Sequence, residues 1–152
     1  MYLTIRPYRT ADFDAVTLLR WNSWKSTGLV LAEAEDLSFV REMVSQKITC
    51  GSHIHVVIAA AELVGFVAFY DNKVQQLFTT PTMQGNGIGK QILDFVKTQR
   101  PAGFWLTSLV ENGRANRFYE REGLKRGETS LHHRYGPIVR YDWPSPLDVL
   151  AT

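Results

Sequence analysis

Three alternate glycines, Gly85, Gly87 and Gly89, stand between Gln84 and Lys90 in the run Gln84-Gly85-Asn86-Gly87-Ile88-Gly89-Lys90. Glycines at that spacing open backbone dihedrals closed to other residues and remove side chains that would block a bulky group. The run follows a strand-like segment and opens an amphipathic helix, where unpaired N–H groups and the helix dipole favour an anion. Lys90 adds a positive charge at the same place. The chemistry this predicts is a cradle for a diphosphate. Read blandly, the run is a flexible turn, and glycines inside the helix lower its stability by up to about 1 kcal/mol each. Register excludes two phosphate loops. The Walker pattern GxxxxGK[ST] would begin on Gln84 and end on Gln91, and GxGxxG counted from Gly85 ends on Lys90.

Other side chains able to do chemistry are scattered. Asn112 stands where a helix N-cap is favoured. Tyr119 shares a helical face with Ala115 and Phe118, which makes it either a core residue or a proton donor. His53 and His55 alternate on a strand and face one way, whereas the adjacent His132 and His133 face opposite ways if extended. Neither pair has a Cys cluster or an HExxH helix beside it, so no metal site is expected. Cys50 is the one cysteine, which excludes an intrachain disulfide and reads as a small packed residue.

The elements that must position these groups follow from periodicity. Tyr2 to Arg6 alternates like a strand and stops at Pro7, after which Thr10 is expected to cap a helix carrying Phe13, Val16 and Leu19. Trp21 to Gly28 has no regular pattern, and a second helix is expected from Ala34 to Ile48. Strands Ile54–Ala60, Leu63–Tyr70 and Val74–Phe78, joined at Ala61-Glu62 and Asp71-Asn72, predict an antiparallel meander. A helix with Ile88, Ile92, Leu93 and Val96 follows. Then come a strand at Phe104–Thr107, the Ala115/Phe118/Tyr119 helix, and strands around Leu124–Leu131 and Val139–Trp143. The order β-α-α-β-β-β-α-β-α-β-β implies an α/β (α+β) fold, a mixed, mostly antiparallel sheet of six to seven strands with helices on both faces.

On this order of elements, Gln84-x-x-Gly87-x-Gly89 resembles the [RQ]xxGx[GA] acetyl-coenzyme A signature of the GNAT N-acetyltransferase superfamily. Asn112-x-x-Ala115-x-x-Phe118-Tyr119-Glu120-Arg121-x-Gly123-Leu124 is similar to that family's second motif. The resemblance covers about Ile54 to Leu124. It implies acetyl-coenzyme A as acyl donor, with no metal, and transfer of the acetyl group to a primary amine by direct attack on the thioester. By resemblance, backbone N–H groups from Gln84, Gly85, Asn86, Gly87, Ile88, Gly89 and Lys90 hold the pyrophosphate. Leu77, Phe78 and Thr79 flank the pantetheine arm, which lies between the fourth and fifth strands, and an N–H at or near Phe78 faces the thioester carbonyl. Asn112, Ala115 and Phe118 complete the cofactor site, and Tyr119 is the general acid for the departing thiolate. Some family members carry a Glu base on the fourth strand, where this chain has Gln75 and Gln76. Deprotonation through water is therefore expected, with Glu33, Glu35, Asp36, His132 and His133 as alternatives that read more simply as solvated groups. Trp21 and Trp24 fall where the family's acceptor pocket lies.

Composition bounds the rest. The 152 residues, with 17 Lys+Arg against 15 Asp+Glu and 45% hydrophobic residues, predict a single domain over 1–152 with a flexible tail at 144–152. Near-balanced charge argues against nucleic acid; Arg114, Arg117 and Arg121 share a helical face, with Lys125 and Arg126 beyond, and meet a cofactor phosphate or water equally well. No apolar run reaches the roughly 20 residues that span a bilayer, and no signal peptide is evident, so a cytoplasmic protein without membrane partners is expected. The acceptor, a small amine or a protein N-terminus or lysine, is not legible. A homodimer, the commonest oligomer, stays open, with the last strands and Pro144-Ser145-Pro146 as contributors. The rival function is a non-catalytic acyl-coenzyme A sensor or interaction module on the same fold.

Overall fold

The computed structural model describes residues 2–29 and 35–144. Its elements are β1 (Thr4–Pro7), α1 (Phe13–Lys25), α2 (Leu37–Thr49), β2 (His53–Ala59), β3 (Glu62–Tyr70), β4 (Lys73–Thr79), α3 (Ile88–Gln99), β5 (Phe104–Leu109), α4 (Gly113–Arg121), β6 (Lys125–His132) and β7 (Gly136–Trp143). This is the order expected from periodicity. The seven strands are hydrogen-bonded in the order β1-β2-β3-β4-β5-β7-β6, with antiparallel pairing at β1/β2, β2/β3, β5/β7 and β6/β7. The β4/β5 pair is parallel, through Lys73 and Trp105. Two compact units divide the chain, Met1–Tyr70 with Gln75–Ile92, and Asp71–Val74 with Leu93–Thr152.

In the first unit, Val16 and Leu19 of α1 and Val40 and Val44 of α2 bury against Val56 and Phe66, which face each other in the β2/β3 register. Burying a side chain of this kind contributes about 1.5–3 kcal/mol. Thr10 does not cap α1. Residues Thr10–Asp12 form a 3-10 turn, and the Asp12 carboxylate accepts from the Arg9 N–H and from both terminal nitrogens of Arg6, at 2.8–2.9 Å. A charge-assisted fork outcompetes a neutral hydroxyl for that place, and the Arg6 guanidinium holds the Asp12 carboxyl below its usual range. Helix α1 runs on to Lys25, so the segment from Trp21, which has no apolar period, is helical. Its buried side chains include Thr17, Arg20 and Ser23, which is why an apolar template missed it.

Helix α2 is capped by Asp36, whose carboxylate accepts the Phe39 N–H at 2.8 Å; Ala34, the expected start, lies outside the described residues. The β2/β3 turn sits at Ala60 and Ala61, both left-handed with φ of 50° and 66°, so β3 begins one residue earlier than expected.

In the second unit β5 pairs along its length with β7, from Phe104↔Trp143 to Leu109↔Ile138, over a core that includes Leu106, Val139 and Tyr141. Strand β6 is exposed along almost its whole length. Lys125, Arg126 and Glu128 blunt it against pairing with another chain. The expected tail beyond Pro144 lies outside the described residues.

Candidate active site

The glycine run forms a built turn. Gly85 and Gly87 take φ of 90° and 80°, and a Cβ on either would meet nothing within 4 Å, so the backbone there is open to its surroundings. Two N–H groups of the run are spent on the turn itself, Gln84 to Pro81 O and Asn86 to Met83 O. Helix α3 opens at Ile88, and its first intrahelical bond runs from the Gln91 N–H to Gly87 O at 3.1 Å. Ile88 and Gly89 thus fall in the first turn, whose N–H groups have no intrahelical acceptor. With Gln84 and Asn86 bonded within the turn, Gly85 and the Gly87–Gly89 start of the helix are the candidates for the expected cradle. Below it, α3 presses onto β3 at Gly65, where a Cβ would stand 3.2 Å from Ile92 Cδ1 and 3.2 Å from Phe78 O.

The same unit holds a cluster that apolar periodicity missed. Arg20 is 4% exposed and Glu35 is 4% exposed, and they pair at 2.6 Å between Arg20 Nη1 and Glu35 Oε2. Glu35 is therefore not the solvated group expected. Arg20 Nη2 donates to Met43 Sδ at 3.6 Å and Nε to Gln76 Oε1 at 3.4 Å, with the guanidinium over the Phe78 and Trp24 rings. Trp21 donates its indole N–H to Glu35 O at 3.1 Å. Trp21 and Trp24 thus flank this ion pair, with Trp24 buried. Asp36 caps α2, and Glu33 lies outside the described residues. Gln75 points to the opposite face of β4 and accepts from Ser52 Oγ at 2.7 Å. Gln75 through Thr80 are all half-buried although β4 is fourth of seven strands.

In the second unit, the Asn112–Leu124 motif is largely a device for holding one short helix. Asn112 Oδ1 accepts from the Ala115 N–H at 3.3 Å, an N-cap. At the other end Gly123, with φ 92°, lets its N–H reach Glu120 O while the Leu124 N–H reaches Tyr119 O; these paired bonds are the Schellman stop. Asn116, 4% exposed, donates from Nδ2 to Leu109 O and Val110 O and ties α4 to the end of β5. Tyr119 is packed against Phe118 and Tyr141, with ring centroids 5.4 and 5.6 Å away. Burial, with Tyr141 adding to it, pushes the Tyr119 hydroxyl up to about 12. Tyr141 in turn accepts from Arg126 at 3.2 Å and faces Glu120 at 3.5 Å.

The histidines do other things. His53 and His55 both stack on Phe69, as their alternation implies. His132 and His133 do not face apart: β6 ends at His132, and the two rings stack at 4.4 Å. His132 Nδ1 accepts the N–H groups of Arg134 and Tyr135, which makes it a turn residue. Cys50 is exposed, not packed. Among the described residues no group of three His, Cys, Asp or Glu is placed to hold a metal ion, and no helix is long and apolar enough to cross a membrane.

Comparison with known proteins bears on these features. The family model described as acetyltransferase (GNAT) domain matches residues 51–125, a stretch with both the glycine turn and Tyr119. The aminoalkylphosphonate N-acetyltransferase of Salmonella typhimurium (strain LT2) is 32% identical over 49% of this chain, and the match spans 57% of that relative. The chain thus spans little more than half the length of the curated relative it matches. Among solved structures, an acetyltransferase from Thermus thermophilus superposes with a TM-score of 0.78 at 15% identity, over 93% of this chain and 96% of that one. The ribosomal L7/L12 alpha-N-protein acetyltransferase in complex with coenzyme A gives 0.71 at 15% identity, over 92% of each. At such identities the likeness to the solved structures is one of fold.

Proposed function

We propose that the chain is an acetyl-coenzyme A-dependent N-acetyltransferase of the GNAT superfamily acting on a primary amine, in the cytoplasm, a reading supported by the family model matched over residues 51–125 and by the 32% identical relative. The observation that carries the reading is the glycine turn: two left-handed glycines with open space beside them, at the start of an amphipathic helix that bears Lys90. Convergent N–H groups and a helix dipole at one point suit a diphosphate. Leu77, Phe78 and Thr79 on β4 flank the pantetheine arm, and a backbone N–H near Phe78 meets the oxygen on which charge grows as the amine attacks. Asn112 spends its carbonyl oxygen on the helix cap, which leaves its Nδ2 donors for a pantetheine carbonyl. Ala115 and Phe118 provide apolar cover.

In the reaction the amine nitrogen bonds to the thioester carbon, the carbon–sulfur bond breaks, and the sulfur leaves with the electron pair. Tyr119 serves that sulfur. With a hydroxyl held at about 12, it is protonated throughout the physiological range and cannot act as a base. Full transfer to a thiolate, whose acid titrates near 8.5 in a cysteine-type thiol, is therefore uphill. Tyr119 therefore acts chiefly as a hydrogen-bond donor to the developing charge, and water completes protonation. The amine's own proton also leaves through water, since β4 carries Gln75 and Gln76. The acceptor we would try first is an aminoalkylphosphonate, after the Salmonella relative. Calorimetry with acetyl-coenzyme A, desulfo-coenzyme A and ATP tests the reading: binding that needs the pantetheine arm is expected, and its absence would leave the glycine run as a turn only. The rival is a non-catalytic acyl-coenzyme A sensor, favoured by the missing carboxylate on β4. It predicts the same binding with no product from any amine.

A further inference from the structure

We infer that Gln76 is the residue that binds the acceptor, that it does so as an N–H donor, and that the acceptor therefore carries an oxygen near its amine; this rests on the reading above. The three nitrogens of the Arg20 guanidinium are all engaged, Nη1 by Glu35, Nη2 by Met43 and Nε by Gln76. An arginine nitrogen only donates, so the Gln76 amide must turn its oxygen to Arg20 and its Nε2 away. Among the described residues Nε2 has no hydrogen-bond partner, and it is not among the buried atoms; it meets solvent. The Arg20–Glu35 pair is buried and already mutual, so it offers no free charge to a substrate. It acts by holding the amide of Gln76 in one orientation.

The surroundings narrow the ligand. Gln76 shares its face of β4 with Phe78, two residues on, beside Arg20, Trp24 and Met43. The outward N–H is a donor set among aromatic rings and an ion pair whose charges are spent on each other, and what satisfies it is an acceptor oxygen, of a carboxylate, a carbonyl or a phosphonate. Two residues of strand span about 6.6 Å. An amine that attacks beside Phe78 and bonds to Gln76 therefore bears its oxygen two or three carbons away.

The test compares β-alanine and β-alaninamide with n-butylamine, which has no oxygen. In the native protein kcat/KM should favour the first two by at least about tenfold, since a site built to donate rejects a ligand that cannot accept. Gln76→Leu should abolish the preference, bringing the kcat/KM values of the three amines within about twofold of one another. Arg20→Lys keeps a cation for Glu35 but loses the planar fork, so it should raise KM for β-alanine while kcat and the n-butylamine rate hold; a merely structural Arg20 would move all of them. Gln76→Glu should lower turnover of β-alanine, because its carboxylate would lie on Arg20. A rise would show that the position wants a base and would overturn the inference. Independently of turnover, the side-chain amide resonances of Gln76 should move on adding β-alanine, and not n-butylamine, to protein saturated with desulfo-coenzyme A. If acetyl-coenzyme A binds but those resonances stay still, the inference falls and the acetyltransferase reading stands. If the cofactor does not bind, both fall.

Discussion

Tyr119 owes its properties to what surrounds its hydroxyl. An unfolded tyrosine titrates near 10 and this one at about 12, through burial first and Tyr141 second. The proton is thus held more tightly when the chain is folded. Its contribution to stability is complete below pH 10 and is lost as pH climbs through 12. Tyr119→Phe should remove that part of the alkaline loss, measured as the change in urea midpoint between pH 9.5 and 11.5. The same substitution should cut kcat by about 100- to 1000-fold, the usual worth of one donor to a developing charge, and leave coenzyme A affinity within about twofold. If the proposed activity holds, kcat of the native protein should rise with pH as the acceptor amine loses its proton, with no fall attributable to Tyr119 below about pH 11. A fall centred near 10 would show a solvated phenol and contradict the packing. An unchanged rate in the phenylalanine variant would take Tyr119 out of the chemistry.

Helix α4 has nine residues, too few for a helix to hold alone, and both its ends are fixed by residues of the recognised motif. Gly123→Ala isolates one of them. The added Cβ meets nothing within 4 Å, so the cost is the left-handed φ of 92° alone, about 1 kcal/mol. Thermal unfolding should fall by about 2–4 °C, with turnover falling as Tyr119 loses its fixed turn. Here the sequence was readable, because caps are local: Asn112, Gly123 and the glycine run each act within a few residues of themselves. The Arg20–Glu35 pair was not readable. Fifteen residues separate its partners, no period links them, and charged residues are by default solvated. Its energetics are also distinctive. Glu35→Ala should destabilise by about 3–5 kcal/mol by stranding a buried guanidinium, while Arg20→Met with Glu35→Leu should recover most of that loss. Equal loss in the single and double variants, measured by urea unfolding, would show that packing and not charge is at stake.

Across the whole chain, strand and helix order was legible because each element carries its own signal: short apolar runs rich in β-branched residues between turns in β2 and β3, and a single apolar stripe of Ile88, Ile92, Leu93 and Val96 in α3. What escaped were the places where polar bonds set the boundary. These include the Asp12–Arg6 fork that displaced the Thr10 cap, the polar inner face of α1, and the His132 turn. Ligand linkage tests the reading at the scale of the molecule. A ligand that binds only the folded chain stabilises it by RT ln(1 + [L]/Kd), about 2.7 kcal/mol at a hundredfold excess over Kd. For a chain of this length that is a rise of about 5–10 °C in Tm. Acetyl-coenzyme A should produce it, and ATP, which lacks the pantetheine arm, should not. Gly87→Val should separate the two effects of the glycine turn. Its Cβ meets no protein atom within 4 Å, so without ligand the Tm should drop only by the strain of φ 80° in a β-branched residue. With ligand, the isopropyl group occupies the space the diphosphate needs, and the rise should shrink to near zero. A full rise in that variant would mean that the phosphates lie elsewhere, and the N-terminus of α3 would lose its role.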